Sequence, residues 1–293
     1  MRKFTSILKA TALEVLSEPL SLLVLLTALV MTVFAPAFHY HQFGEPTRMA
    51  RDAGFSALFA CGGVLAVFTT IRAFRREVET GTMEMALAHP VSRGGFFFAK
   101  AAGAAVAYLV FALIVFGTQL AIVWGAAVGG ILAARSGDVA SVFEPALAAG
   151  VAVIVAPLVL AAILNRFAHF RFVLTSFVIA LVLALLCAGA AFAIAPDLLA
   201  PYPAAAILVA CPALVLLAAS AAFALRFKAN AAASAVGLVF AALLPSVGNY
   251  YLSDALTNFA SIPASYVLLA IAAALPAIAL FLLIGATGRG EPA

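Results

Sequence analysis

The 293-residue chain is 66% hydrophobic and only 10% charged, with a mean hydropathy of +1.19. Soluble domains are about 45–50% apolar and about 25% charged, so a soluble enzyme, a disordered chain and a disulfide-built secreted domain are excluded. Sixteen Lys and Arg against twelve Asp and Glu give a net charge of +4; in a chain this apolar the positions of the cations matter more than their sum, because they set topology.

Residues 3–18 come first. Phe4, Ile7, Leu8, Thr11, Ala12 and Val15 fall at helical spacing on one face, with Lys3, Lys9 and Glu14 off it. The pattern predicts an amphipathic helix in the inner headgroup layer, broken by Pro19; a basic flank with accidental periodicity is the alternative. Eight apolar segments follow, at approximately 20–38, 54–71, 101–127, 145–164, 172–194, 204–225, 230–247 and 262–286. Each can cross a hydrocarbon core of about 30 Å at about 1.5 Å per residue. None holds Asp, Glu, Lys, Arg or His in its body. They do not alternate as barrel strands would. The first is preceded by Glu14 and Glu18, unlike a short basic leader, and is read as a retained span. Cys61, Cys187 and Cys211 lie singly inside apolar segments and are read as packing residues.

With the N-terminus inside and all eight segments crossing, the inner cations are Arg2, Lys3, Lys9, Arg72, Arg75, Arg76, Arg93, Lys100, Arg166, Arg171, Arg226, Lys228 and Arg289. Only Arg48, Arg51 and Arg135 fall outside. That asymmetry predicts an all-α integral membrane protein with both termini in the cytoplasm. The expected divisions are an interfacial helix at 1–19, a transmembrane domain at 20–286 and a cytoplasmic tail at 287–293. Pro245, Gly248, Asn249 and Pro263 interrupt the last part, so six full spans plus a re-entrant pair is the alternative. Gly62, Gly63, Gly103, Gly117 and Gly125 allow close helix approach. Pro157, Pro212 and Pro276 predict kinks. Gln119, the most polar interior residue, either bonds across a helix pair or lines a path, and the first reading is preferred.

The inner loops at 165–171 and 226–228 are short, whereas the one at 72–100 has polar residues to spend. It reads RAFRREVETGTMEMALAHPVSRGGFFFAK. Arg72, Arg75 and Arg76 anchor it at the headgroups. Thr80-Gly81-Thr82 is a turn and helix-start signal, Met83 to His89 makes about two turns with Met83 and Leu87 on one face, and Pro90 ends it. Such a helix suits docking in a groove of a soluble partner, with Met83 and Leu87 as anchors and Glu79, Glu84 and Arg93 setting register; resting on the bilayer is the alternative.

Glu79, Gly81, Thr82, Pro90, Ser92, Arg93 and Lys100, placed between the second and third spans, resemble the corresponding loop of ABC-2 type transporter permeases. The N-terminal helix is similar to that family's too. The resemblance covers about residues 1–130. It implies a multi-pass permease of a bacterial cytoplasmic membrane that pairs with a second permease subunit, identical or paralogous, and forms the substrate pathway. It also implies that the loop is a coupling helix docking on a separate ATP-hydrolysing subunit. The docking residues are then Glu79, Thr80, Gly81, Thr82, Met83, Glu84, Leu87, Pro90 and Arg93.

The chain has no G-x-x-x-x-G-K-[ST] phosphate loop, so ATP and Mg are expected on the partner ATPase. No catalytic group, cofactor or metal site is expected on this chain, and no nucleic acid is expected as a partner. His39 and His41 lack further ligands, and His169 sits between Arg166 and Arg171 in a basic turn facing anionic lipid. An apolar lining with few charges suits a hydrophobic or amphipathic substrate, and the resemblance implies that it is exported. The alternatives are an ion-coupled carrier, which the absence of ionisable residues from the spans disfavours, and a non-transporting scaffold for a soluble partner.

Overall fold

The computed structural model describes residues 2–34, 46–79, 92–136, 144–224 and 264–287. Among them every regular element is a helix: α1 (Arg2–Leu16), α2 (Pro19–Phe34), α3 (Pro46–Glu79), α4 (Arg93–Ser136), α5 (Glu144–Ala168), α6 (Phe172–Ile194), α7 (Pro196–Leu199), α8 (Tyr202–Ala224) and α9 (Ala264–Thr287). Six described stretches are long and apolar enough to cross a membrane: Thr47–Arg76, Gly94–Val128, Gly150–Ala168, Phe172–Ile194, Pro196–Ala224, which runs through α7 and α8, and Val267–Ile284. Phe4–Leu16 and Pro19–Phe34 meet the same length and composition only when taken together, as one broken span or a re-entrant loop. The chain is an all-α, multi-pass membrane protein. The expected segment at 230–247, the cations Arg226, Lys228 and Arg289, the pair His39 and His41 and most of the tail lie outside the described residues.

Local chemistry explains the breaks. Proline cannot donate the backbone N–H, which is unused at a helix start, and Pro19, Pro46 and Pro196 open α2, α3 and α7. Pro157, Pro212 and Pro276 sit inside α5, α8 and α9, which continue through them. In apolar surroundings a hydroxyl needs an internal acceptor. Thr32, Thr118, Ser176 and Ser220 each donate to the carbonyl four residues back, at 2.7–2.9 Å.

Two compact units share the chain. One comprises residues 17–61 and 110–206. In it α5 and α6 form a hairpin that packs on α2. A Cβ at Gly117 of α4 would lie 2.8 Å from the Ala184 carbonyl oxygen of α6, so only glycine permits this approach. Near the start of α3, Gln119 Nε2 donates to the Arg51 carbonyl at 2.9 Å, the cross-helix bond preferred from sequence. A side chain at Gly54 would run into Gln119. Phe55 stacks on Tyr202 with centroids 6.1 Å apart. Arg51 Nε pairs with Asp52 Oδ1 at 2.9 Å, and Arg51 is buried.

The other unit comprises residues 1–16, 62–109 and 207–293. Its core contains Val67, Ile71, Phe74, Phe97, Ala101, Leu216, Ala221 and Ala224, with Phe223 and Leu282 against it. This unit carries the base of the expected coupling loop.

Candidate functional site

The stretch expected as a 29-residue loop is mostly helix. Arg72–Glu79 continues α3, and Arg93–Lys100 opens α4. Hydropathy ends both apolar segments at the charges, but Arg72–Glu79 holds neither Gly nor Pro, and a charged side chain that reaches solvent does not end a helix. Residues 80–92 connect the two. Of the predicted docking residues, Glu79 is the last of α3 and Arg93 the first of α4. Thr80, Gly81, Thr82, Met83, Glu84, Leu87 and Pro90 lie outside the described residues.

The Pro-x-Ser-Arg pattern has a physical reading at its third position. Ser92 Oγ accepts from the Gly95 amide at 3.1 Å, and the Ser92 carbonyl accepts from the Phe96 amide at 3.0 Å. Ser92 is thus the N-cap of α4: its hydroxyl satisfies an amide that has no partner inside the helix. The helix start expected at Thr80 and Thr82 belongs to the 83–89 segment, outside the described residues; Ser92 enters the sequence reading only as part of the family pattern.

Behind this cap the helices are locked by aromatic packing. The rings of Phe74 on α3 and Phe97 on α4 lie 5.3 Å apart, and Phe97 meets Phe98 edge-on at 6.0 Å. Lys100 Nζ stands 5.4 Å from the centre of the Phe74 ring. A cation over a ring face contributes about 0.5–2 kcal/mol, with the larger values where water is excluded. Lys100 is fully buried. It was expected at the water-facing edge of the third span, but α4 begins two turns earlier and draws it into the core. Arg51 and Lys100 therefore qualify the reading that spans exclude ionisable residues: both lie just outside the predicted apolar segments, yet inside packed helices.

The third part of the base is α1. Thr11, Ala12 and Val15, half of the predicted stripe, are buried, while Phe4 is exposed. The stripe's partner is α4: a Cβ at Gly103 would lie 2.6 Å from the Leu8 carbonyl oxygen and 2.8 Å from Thr11 Cβ. Glu14 Oε1 takes an ion pair from Arg76 Nη1 of α3 at 3.2 Å. So α1 is held to both helices that carry the 80–92 connection. Gly103 was singled out in the sequence for close approach; a pairing between residues sixty-two apart has no sequence signal.

A family model described as "ABC-2 family transporter protein" matches residues 31–284, most of the chain. The chain belongs to this family. It is the membrane permease of an ABC transporter. No curated protein and no solved structure matches it. The ABC-2 assignment agrees with the resemblance read from the 79–100 pattern and reaches well past residue 130. In this permease the cap at Ser92, the Phe74–Phe97–Lys100 lock and the α1 clamp form one framework around the ends of the connection.

Proposed function

We propose that this permease is driven by a separate ATP-hydrolysing subunit, which grips the 79–93 segment and moves α3, α4 and α1 together. The carrying observation is the clamp of α1 onto α3 and α4 through Glu14–Arg76 and Gly103. A push on a segment whose two ends are tied to a third helix is delivered to a body, not absorbed by two loose arms. Met83 and Leu87 anchor the contact, with Thr80, Gly81, Thr82 and Pro90 shaping it and Glu79, Glu84 and Arg93 setting its register. ATP and Mg are held by the partner. Two permease subunits, identical or paralogous, form the pathway at their interface, and the cargo is a hydrophobic or amphipathic molecule moved outward across a bacterial cytoplasmic membrane. Membership of an ABC transporter family and the helical framework behind the segment support this reading.

The test is co-purification of the ATPase with the full chain, before and after replacing Glu79, Met83 and Leu87 together. Loss of the ATPase, with the permease still folded in the membrane, is expected. Unchanged association and unchanged stimulation of ATP hydrolysis would refute the docking role.

A further inference from the structure

The other inner turn, between α5 and α6, is built differently. Residues 169–171 join the helices, and His169 takes a left-handed backbone (φ 53°) that ends α5. Non-glycine residues adopt this conformation rarely, and here it turns the chain back within three residues. Phe167 is 81% exposed and Phe170 56% exposed. Arg166, His169 and Arg171 are exposed beside them. From residue 145 to residue 196 the chain holds no Asp or Glu. Among the described residues no salt bridge involves Arg166 or Arg171, so the tip carries a net positive charge.

The rest of the hairpin says what surrounds this tip. Only a minority of each apolar stretch in α5 and α6 is buried within the molecule. Val155, Val159, Ile163, Val178, Val182 and Leu186 lie exposed along the two helices. In a multi-pass membrane protein an unburied apolar face of this length lies within the hydrocarbon layer. At 25 and 23 residues the helices span about 35 Å, little more than the hydrocarbon core of about 30 Å. The tip therefore lies at the headgroups and does not project into solvent. The asymmetry of Lys and Arg along the chain puts it on the cytoplasmic leaflet.

We infer that the α5–α6 turn is an anionic-phospholipid anchor: Arg166 and Arg171 hold a lipid phosphodiester between them, while Phe167 and Phe170 sit at the glycerol level beneath it. Two cations at the end of a membrane-spanning hairpin, with no acidic residue on either helix beyond residue 144, complement an acidic headgroup layer. The positive end of α6, whose N-cap Arg171 makes no side-chain cap bond, adds to the same field. Two cationic side chains near an anionic surface, at about 1 kcal/mol each, correspond to a preference of roughly tenfold to thirtyfold for acidic over neutral lipid. The inference needs only the membrane location and not the ATPase contact, so either can fail alone.

The experiment uses the full chain, purified in detergent and titrated with phosphatidylglycerol, phosphatidylcholine or inorganic phosphate. Thermal unfolding and lipid retention in native mass spectrometry are followed. Phosphatidylglycerol is expected to be retained roughly tenfold or more over phosphatidylcholine, and to raise the unfolding temperature where phosphate does not. The preference is lost in Arg166→Gln/Arg171→Gln and kept in Arg166→Lys/Arg171→Lys. An unchanged preference in the glutamine variant overturns the inference. So does an equal response to free phosphate, or a loss of ATPase co-purification with lipid retention intact, which would make the tip a protein contact. Should the glutamine variant fail to fold, Phe167→Trp in a Trp124→Phe background reports directly, because Trp124 is the only tryptophan. Quenching by lipids brominated near the glycerol supports the anchor, and its absence overturns it.

Discussion

The two inner hairpin ends of the described chain start from similar sequence and end in different physics. Both are marked by arginines and phenylalanines: Arg72, Arg75, Arg76 and Phe96–Phe98 at the α3–α4 end, Arg166, Phe167, Phe170 and Arg171 at the α5–α6 end. At the first, Phe74 and Phe97 are buried against each other with Lys100 beneath them, and α1 is clamped alongside. At the second, the phenylalanines are exposed and the turn is three residues long. Each arm of the first runs about 12 Å of helix past the predicted membrane edge before the 80–92 connection begins. Aromatic and cationic residues at a membrane face thus build either a rigid base or a lipid contact. Which one forms depends on whether the helices continue past the predicted apolar segments and find a third helix to pack on.

The largest expected effect breaks this contrast directly. Phe74→Ala removes a buried ring and should destabilise the protein by about 3–5 kcal/mol, the usual range for such a cavity, read by denaturant unfolding of the purified chain. Leu186→Ala on the exposed face of α6 should stay within about 0.5 kcal/mol. Comparable losses would mean that α6 is not lipid-facing.

Next come two glycines that hold different ends of the molecule. Gly103→Leu and Gly117→Leu each force a side chain into backbone and should each cost about 1–3 kcal/mol. They should part in function. Gly103→Leu lifts α1 from α4 and is expected to cut permease-dependent stimulation of ATP hydrolysis several-fold. Gly117→Leu strains the approach of α4 to α6 and should leave association with the ATPase intact. Equal loss of stimulation in both would show that α1 has no special part in coupling.

Much of this architecture was readable beforehand, for definite reasons. The bounds of α6 coincide with the predicted 172–194, because Arg171 and Pro196 flank an uninterrupted apolar run. The stripe on α1 and the close approaches at Gly103 and Gly117 follow from periodicity and small size. What was not legible depends on tertiary contact. Hydropathy ends a segment at the first charge, but α3 and α4 end where capping and breakers end them, so Lys100 was placed at an edge when it lies in a core. Nor does the sequence indicate that Glu14 faces Arg76, or that Arg51 is buried where Gln119 reaches its carbonyl. Residues Thr80 to Pro90, on which the docking proposal turns, rest on pattern and chemistry.

A smaller effect sharpens the same comparison at the cap. Ser92→Ala leaves the Gly95 amide without its acceptor and should cost about 1 kcal/mol. Hydrogen exchange should quicken at the first turn of α4 and nowhere in α6, while Ser92→Asp should retain the protection. Uniform protection in the alanine variant would remove the physical reading given to the Pro-x-Ser-Arg pattern.

The smallest effect is the most diagnostic. Glu14 and Arg76 are partly exposed, with side-chain accessibilities of 32% and 64%, and such pairs contribute about 0–1 kcal/mol and weaken with salt. A double-mutant cycle with Glu14→Gln and Arg76→Gln should therefore give a coupling energy within that range in unfolding measurements. The expectation for ATPase stimulation is different in kind. If the pair keeps α1 aligned with α3 while the 79–93 segment is pushed, either single variant should lower stimulation although the fold is unaffected. The exchange Glu14→Arg with Arg76→Glu should then recover most of it. A defect that the exchange does not repair would assign the effect to one side chain alone, and full stimulation in both single variants would leave Gly103 as the tie between α1 and the coupling base.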